Sequence, residues 1–200
     1  NFAMELCIDE LCEIGGFDRW EFRYNNALKR GSLTATGQEL TGGVGVRKTL
    51  EAVKDRYKNA KYAGIACGIK NTGIGNGMND KSWVRIEVVS EGLVRIHHGW
   101  TEMGQGINTI AVQILCQETG MDPAIIEVIA ETNSDAIAGM TTASRATSLL
   151  GNAIINACTD LKRDLKDQSL LALKGKNYIG HWICDWTTKP GEKGKKEITH

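Results

Sequence analysis

The chain has 200 residues, of which 42% are hydrophobic and 24% are charged, so it can form a globular domain with a hydrophobic core. Its 24 lysines and arginines balance its 24 aspartates and glutamates, which argues against a basic surface for nucleic acid. No stretch approaches the roughly 18 consecutive apolar residues of a transmembrane helix, so we also expect no membrane partner. The first residues lack an initiator methionine and are typical of a helix interior, which predicts a piece of a longer protein.

The cysteines are scattered, and no two of them have the spacing of a zinc ribbon or a thioredoxin-type redox pair. They are Cys7, Cys12, Cys67, Cys116, Cys158 and Cys184. Most lie in apolar runs, so we expect buried free thiols, no metal site and a reducing, cytoplasmic location.

Helical periodicity dominates the first third of the chain. It predicts a helix from residue 2 that ends at Gly15-Gly16, a second helix over 19–28 and a third over 46–59. We therefore predict a helical lead-in segment over residues 1–60.

The pattern then changes to the alternation of β-strands. A run of small residues predicts a strand over 62–69, followed by a glycine-rich turn over 71–79. Alternating residues predict a strand over 83–89, and Glu91-Gly92 is typical of a hairpin turn that leads into a partner strand over 93–97.

The remaining elements complete an α+β fold of hairpins and helices. Helices are predicted over 107–118 and from about 144 to 164, with a strand over 125–129 between them. We predict an α+β core over residues 61–173 and a tail over 174–200 that leads into a further strand.

Three glycine-rich segments invite comparison with nucleotide sites. In Gly42–Thr49, Arg47 stands where a phosphate-binding loop requires glycine, so a loop that leads into a helix is the better interpretation. Gly73–Gly77 precedes a strand rather than a helix, which favours a hairpin loop. Met103–Gly106 opens an amphipathic helix, and it fits either a cradle for an anion or a heterocycle, or a tight turn.

A second helix start carries small and hydroxyl residues over 141–147. Arg145 lies in its first turn, where a cation is unfavourable unless an anion lies opposite. Two interpretations stay open: a phosphate bound by backbone N–H groups, Ser144 and Arg145, or a serine cap with Arg145 paired to an acid. His97-His98 are interpreted as strand-end residues rather than metal ligands, and Glu102 as a surface or capping group rather than a catalytic residue.

The segment Gly99–Gly106, followed by Thr109 and Gln113, resembles the molybdenum hydroxylases of the xanthine dehydrogenase and aldehyde oxidase family. The commonest family form is GGTEMGQG, and Trp100 replaces its second glycine here. The resemblance extends to about Asp164 through further stretches in the family's order: Phe2–Glu5, Ile8-Asp9, Glu21–Arg23, Asn26–Leu28, Thr36–Gln38, Gly68–Gly75, Ala143–Thr147 and Gly151–Ala153.

The resemblance implies a molybdopterin-binding domain of the xanthine dehydrogenase type. Carried over residue by residue, one side of the cofactor would be held by Met103, Gly104, Gln105 and Gly106. The other side would be held by Ala143, Ser144 and Arg145. The Ala-Ser-Arg form is similar to bacterial members that use molybdopterin cytosine dinucleotide.

The resemblance also implies an oxidoreductase that hydroxylates a purine, a related N-heterocycle or an aldehyde with oxygen from water. The family's catalytic glutamate would lie downstream of His200, so we expect no catalytic residue here and an inactive fragment. Iron–sulfur (2Fe–2S) and flavin (FAD) groups would belong to other domains or subunits, and a homodimer is compatible with the resemblance. The alternative is a non-catalytic binding or assembly module, in which Trp100 would block or reshape the pterin pocket.

Overall fold

The computed structural model describes residues 1–35, 37–70, 80–133 and 135–184. The chain divides into two compact units, residues 1–70 and 71–200. The division of the sequence at residues 60 and 173 stays a prediction. In the described ranges, no helix is long and apolar enough to cross a membrane.

The first unit contains the three predicted helices. These are α1 (Phe2–Gly15), α2 (Arg19–Asn26) and α3 (Val46–Asn59). Helix α1 ends at Gly16, whose φ of 67° is a left-handed conformation that glycine adopts without a steric penalty. Asp18 begins α2 because its carboxylate accepts hydrogen bonds from the N–H groups of Trp20 and Glu21.

Side chains of α2 connect the three helices. The Trp20 indole N–H donates to the Leu50 carbonyl of α3 at 2.9 Å. On the α1 side, the buried Arg23 guanidinium lies 2.7 Å from Glu5 and 2.8 Å from Asp9. The unit is therefore held together by a few polar contacts as well as by apolar packing.

Most of the apolar face of α1 is exposed. Only Cys12 of this helix is buried, because a unit of this size has too little core to cover a whole amphipathic face. The exposed apolar side chains of α1 are Phe2, Met4, Leu6, Leu11 and Ile14.

The predicted strand over 62–69 is wrong. These residues form no regular element, and most of them are exposed. No described strand pairs with them, and the large side chains of Tyr62 and Ile69 are exposed, so the pattern had neither pairing nor packing to support a strand. The glycine-rich segment 71–79 lies outside the described residues.

The second unit is built on a four-stranded sheet of order β3-β2-β1-β4. Its strands are β1 (Lys81–Ser90), β2 (Leu93–His98), β3 (Ile126–Ala130) and β4 (Asn177–Ile183). The predicted β1–β2 hairpin and the strand β3 are confirmed. Strand β1 is antiparallel to β2 and β4, whereas β2 and β3 are parallel.

Two helices, α4 (Ile107–Thr119) and α5 (Ala146–Leu165), contribute to the same core as the sheet. Alternate residues of β1, namely Val84, Ile86 and Val88, are completely buried in it. Strand β4 lies in the segment that sequence reasoning described only as a tail.

We predict that Gly180 fixes the packing of β4 against α5. A Cβ at this position would lie 2.0 Å from the Ala153 carbonyl oxygen and 2.8 Å from the Ala157 nitrogen. Gly180→Ala should lower the free energy of unfolding in urea by about 3 kcal/mol. Gly92→Ala, in the open hairpin turn, is the matched control and should change it by less than about 0.5 kcal/mol. Equal effects of the two substitutions would contradict the close approach.

Candidate functional site

Parallel pairing places two loops at one edge of the sheet. Strand β2 continues into a first loop, residues 99–106, and β3 continues into a second loop, residues 131–145. His98 and Ala130, the last residues of the two strands, are paired in register. Because the strands are parallel, both loops leave the sheet at the same edge, and each leads into a helix.

The first loop wraps around the carboxylate of Glu102. Its Oε1 accepts hydrogen bonds from the N–H groups of Gly104 and Gly106 at 2.8 and 2.9 Å, and its Oε2 accepts from Asn108 at 3.1 Å. Hydrogen bonds from Gly106 and then Asn108 lower the pKa of this carboxyl. The interpretation of Glu102 as a capping group is confirmed.

The Gln105 side chain stabilises the same loop through two hydrogen bonds. Its Oε1 accepts the Met103 N–H at 2.6 Å, and its Nε2 donates to the Thr101 carbonyl at 2.8 Å. Gly104 and Gly106 have φ values of 96° and 84°, which explains the need for glycine at both positions. The loop therefore presents backbone, together with the exposed Met103 side chain, on its outer side.

The second loop reaches α5 through two left-handed residues. Ala143 and Ser144 have φ values of 54° and 53°, which cost free energy in residues other than glycine. Helix α5 then begins after Arg145 without a side-chain cap and without an acidic residue in its first turn. The first N–H groups of α5 have no hydrogen-bond acceptors within the helix and point away from it at its N-terminus.

Arg145 is turned into the protein. Its guanidinium is 1% exposed, donates to Asp80 at 3.2 Å, and also donates to the carbonyls of Ala138 and Met140. Burial lowers the pKa of Arg145, and the Asp80 carboxylate opposes that shift. The predicted pairing of Arg145 with an acid is confirmed, although the acid is the distant Asp80, and the serine cap predicted with it is wrong because no side chain caps α5.

Trp100 is also turned inward. Its side chain is fully buried, its indole N–H donates to the Ser82 hydroxyl at 2.9 Å, and its ring lies 4.9 Å from the Arg145 guanidinium carbon. The indole therefore does not obstruct the outer side of the first loop. The two loops also meet where the Thr101 N–H donates to the Thr141 hydroxyl at 3.1 Å.

Sequence reasoning missed a polar cluster at the start of the second loop. Glu131 lies 2.7 Å from Nδ1 of His97 and 3.1 Å from the guanidinium of Arg85, and His97 Nε2 lies 3.0 Å from Glu87. The pairing of Arg85 with His97 across the hairpin was the available signal. The contact with His97, and then the one with Arg85, holds the pKa of Glu131 below its usual value.

The described residues offer no group of three or more His, Cys, Asp or Glu side chains placed to hold a metal ion. All six cysteines are free, and Cys12, Cys158 and Cys184 are buried. Burial raises the pKa of Cys158 to about 12.

Comparison with known proteins identifies the family. The sequence profile of the molybdopterin cofactor-binding domain matches residues 40–176. The chain belongs to this family. It is 31% identical over 165 residues to a probable xanthine dehydrogenase subunit from Bacillus subtilis, covering 77% of this chain and 22% of that protein. It is 25% identical over 213 residues to the aldehyde oxidoreductase of Megalodesulfovibrio gigas, covering 94% of this chain and 23% of that one.

Solved structures support the same fold. The crystal structure of the aldehyde oxidoreductase from Desulfovibrio desulfuricans superposes with a TM-score of 0.73 at 22% identity, over 98% of this chain and 24% of that chain. The predicted α+β fold of a molybdopterin cofactor-binding domain is confirmed. The chain spans less than a quarter of the length of these relatives.

We predict that the left-handed backbone before α5 of this molybdopterin-binding domain stores strain. Ala143→Gly should raise the free energy of unfolding by about 0.5 kcal/mol, because relief of about 1–2 kcal/mol of strain exceeds the added entropy of the unfolded chain. Ala124→Gly, at an exposed position with negative φ, should lower it by about 0.5 kcal/mol. Urea denaturation measures both, and a destabilised Ala143→Gly variant would contradict the assignment of strain.

We also predict a pH dependence of stability that originates at Glu131. Its pKa is lower in the folded chain than in the unfolded chain, so its contribution is present above the unfolded value of about 4.3 and is lost as the pH falls through the folded value. The difference in stability between the wild type and Glu131→Gln should therefore shrink as the pH falls below about 4.3. Glu91→Gln, in the exposed hairpin turn, controls for the loss of one carboxylate. A difference that stays constant with pH would refute the prediction.

Proposed function

We propose that the two loops bind the molybdenum cofactor in its molybdopterin cytosine dinucleotide form. The observation that carries this proposal is their placement: in a chain of this family, both loops leave adjacent parallel strands, contact each other and open a helix. Residues Met103–Gly106 would hold one side of the cofactor, and Ala143–Arg145 would hold the other. The Ala-Ser-Arg form of the second loop supports the cytosine dinucleotide.

The residues present fit such a ligand. A Cβ added at Gly104 or Gly106 would meet nothing within 4 Å, so a large ring system can approach the backbone of the first loop. The side chains of Trp100 and Arg145 lie in the interior and leave the loops open. The first turn of α5 offers N–H donors without a competing carboxylate, which suits the cofactor's phosphate groups.

This assignment changes the roles expected for two side chains. The Gln105 amide and the Arg145 guanidinium hold the two loops in shape. The N–H groups of Met103, Gly104 and Gly106 already donate within the first loop. The direct contacts to the cofactor would therefore come from the N–H groups at the start of α5, from the open glycine backbone of the first loop, and from the exposed Ser144 and Met103 side chains.

We further propose that the chain is part of the large subunit of an oxidoreductase that hydroxylates a purine, a related N-heterocycle or an aldehyde. The bound cofactor would supply the oxidation–reduction chemistry, with oxygen from water. Iron–sulfur and flavin groups would lie on other domains or subunits in the cytoplasm, and this piece alone would be inactive. Trp100, the departure that favoured a non-catalytic module, does not obstruct the loops, so we favour the enzyme.

Cofactor content tests the proposal directly. The full-length protein is purified under reducing conditions, and its molybdenum, pterin and released nucleotide are measured by mass spectrometry. Near-stoichiometric molybdenum with cytidine monophosphate is the expected result. A folded but empty protein, from a host that loads a related enzyme, would refute it.

A pair of substitutions at Ser144 tests which helix start faces the anion. Asp and Asn both tolerate the left-handed conformation that position 144 adopts. Ser144→Asp should reduce the molybdenum content roughly tenfold, because its carboxylate repels the cofactor phosphates. Ser144→Asn should keep it within about twofold. Both variants should unfold at the wild-type urea concentration or above, and equal cofactor loss in the two would contradict the placement.

A further inference from the structure

Three consecutive residues of the first loop contact the second loop. A Cβ at Gly99 would lie 2.1 Å from the Ala136 carbonyl oxygen, so the two backbones touch at this point. The Trp100 ring lies 4.9 Å from the guanidinium carbon of Arg145. The Thr101 N–H donates to Thr141 at 3.1 Å. We name this run of contacts the loop seam, comprising residues 99–101 with Ala136, Thr141 and Arg145.

One end of β1 anchors the centre of the loop seam. Asp80 immediately precedes β1 and pairs with Arg145, while Ser82 accepts the indole N–H of Trp100. Residues two apart along an extended chain point to the same face, so Asp80 and Ser82 hold their partners side by side. A cation over an indole face is also the most favourable cation–π geometry.

Arg145 connects Asp80 and Trp100 to the second loop. Its guanidinium donates to the Ala138 and Met140 carbonyls, and it directly follows the left-handed residues Ala143 and Ser144. A guanidinium is planar, so the ring beneath it limits how it can turn. The position of Trp100 therefore affects the backbone conformation of the second loop, which ends at α5.

We propose that Trp100 is a positioning residue that fixes the spacing between the two cofactor-holding loops through Arg145. This inference rests on the proposed function, and it assigns Trp100 no contact with the cofactor. With glycine at position 100, the ring would be missing between Ser82 and Arg145, and the loop seam would keep only its flanking contacts.

The test compares four variants of the full-length protein. Trp100→Leu removes the ring, Trp100→Phe keeps a ring without the N–H, and Ser82→Ala removes only the hydroxyl. Leu161→Ala is the control, because Leu161 is buried in α5 sixteen residues beyond Arg145. Released molybdopterin is followed by the fluorescence of its oxidised form, and backbone exposure is followed by hydrogen–deuterium exchange.

We expect Trp100→Leu to release the cofactor about tenfold faster than the wild type, as loss of a buried cation–π contact implies. Trp100→Phe and Ser82→Ala should release it about two- to threefold faster, above the Leu161→Ala control, whose rate should differ from that of the wild type by less than about twofold. Exchange should increase in residues 99–106 and 135–145 of Trp100→Leu, and this increase should be absent in Leu161→Ala.

The outcomes separate this inference from the proposed function. If Trp100→Leu and Leu161→Ala release the cofactor equally fast, Trp100 only stabilises the fold, and the inference is overturned. If the wild type holds no cofactor, the proposed function fails. In that case, exchange that increases in both loops of Trp100→Leu still supports the loop seam, and unchanged exchange overturns it. If Trp100→Leu does not fold, a release rate above the control in both Trp100→Phe and Ser82→Ala supports the inference, and control rates refute it.

Discussion

The parallel pairing of β2 with β3 is the constraint on which the candidate site depends. Strands of opposite direction would send the two loops to opposite edges of the sheet, whereas this pairing sends both to one edge. The connection through α4 makes the parallel arrangement accessible, because parallel neighbours need a crossover of about a dozen residues. Everything at the site, including the contact between Thr101 and Thr141, follows from that topology.

The two helix starts at this edge differ in electrostatics. Helix α4 has an internal anion, because Glu102 accepts three backbone N–H groups around its first turn. Helix α5 has none, and the nearby cation Arg145 is committed to Asp80 and to backbone carbonyls. A phosphate would compete with a carboxylate at α4 but with nothing of like charge in the first turn of α5. The two glycine- and hydroxyl-rich turns look equivalent in sequence, but they differ in how readily they would accept an anion, and the start of α5 is the more favourable.

Sequence predicted what depends on local interactions. The bounds of α3 and the caps of α1 and α2 came from periodicity, from glycine and from Asp18. Strand β4 was missed because its pairing with β1 joins residues 90 to 102 positions apart, and Gly180 is explained only by its contact with α5. The false strand over 62–69 contains apolar residues, but no described strand pairs with it, and its large side chains Tyr62 and Ile69 are exposed. Local sequence pattern could not predict the partner of Arg145 either, because Asp80 lies sixty-five residues away.

The inward orientation of Trp100 and Arg145 shows how a substitution inside a motif can be tolerated. A large indole in place of glycine is acceptable only where the core has room for it and a partner for its N–H, and Ser82 supplies that partner. Arg145 is fully buried, so its charge requires an anion, and Asp80 supplies it. Both partners lie at the start of β1, outside the two loops. The conformation of the two loops thus depends on side chains at the start of β1, which lie in the sheet and not in the loops themselves.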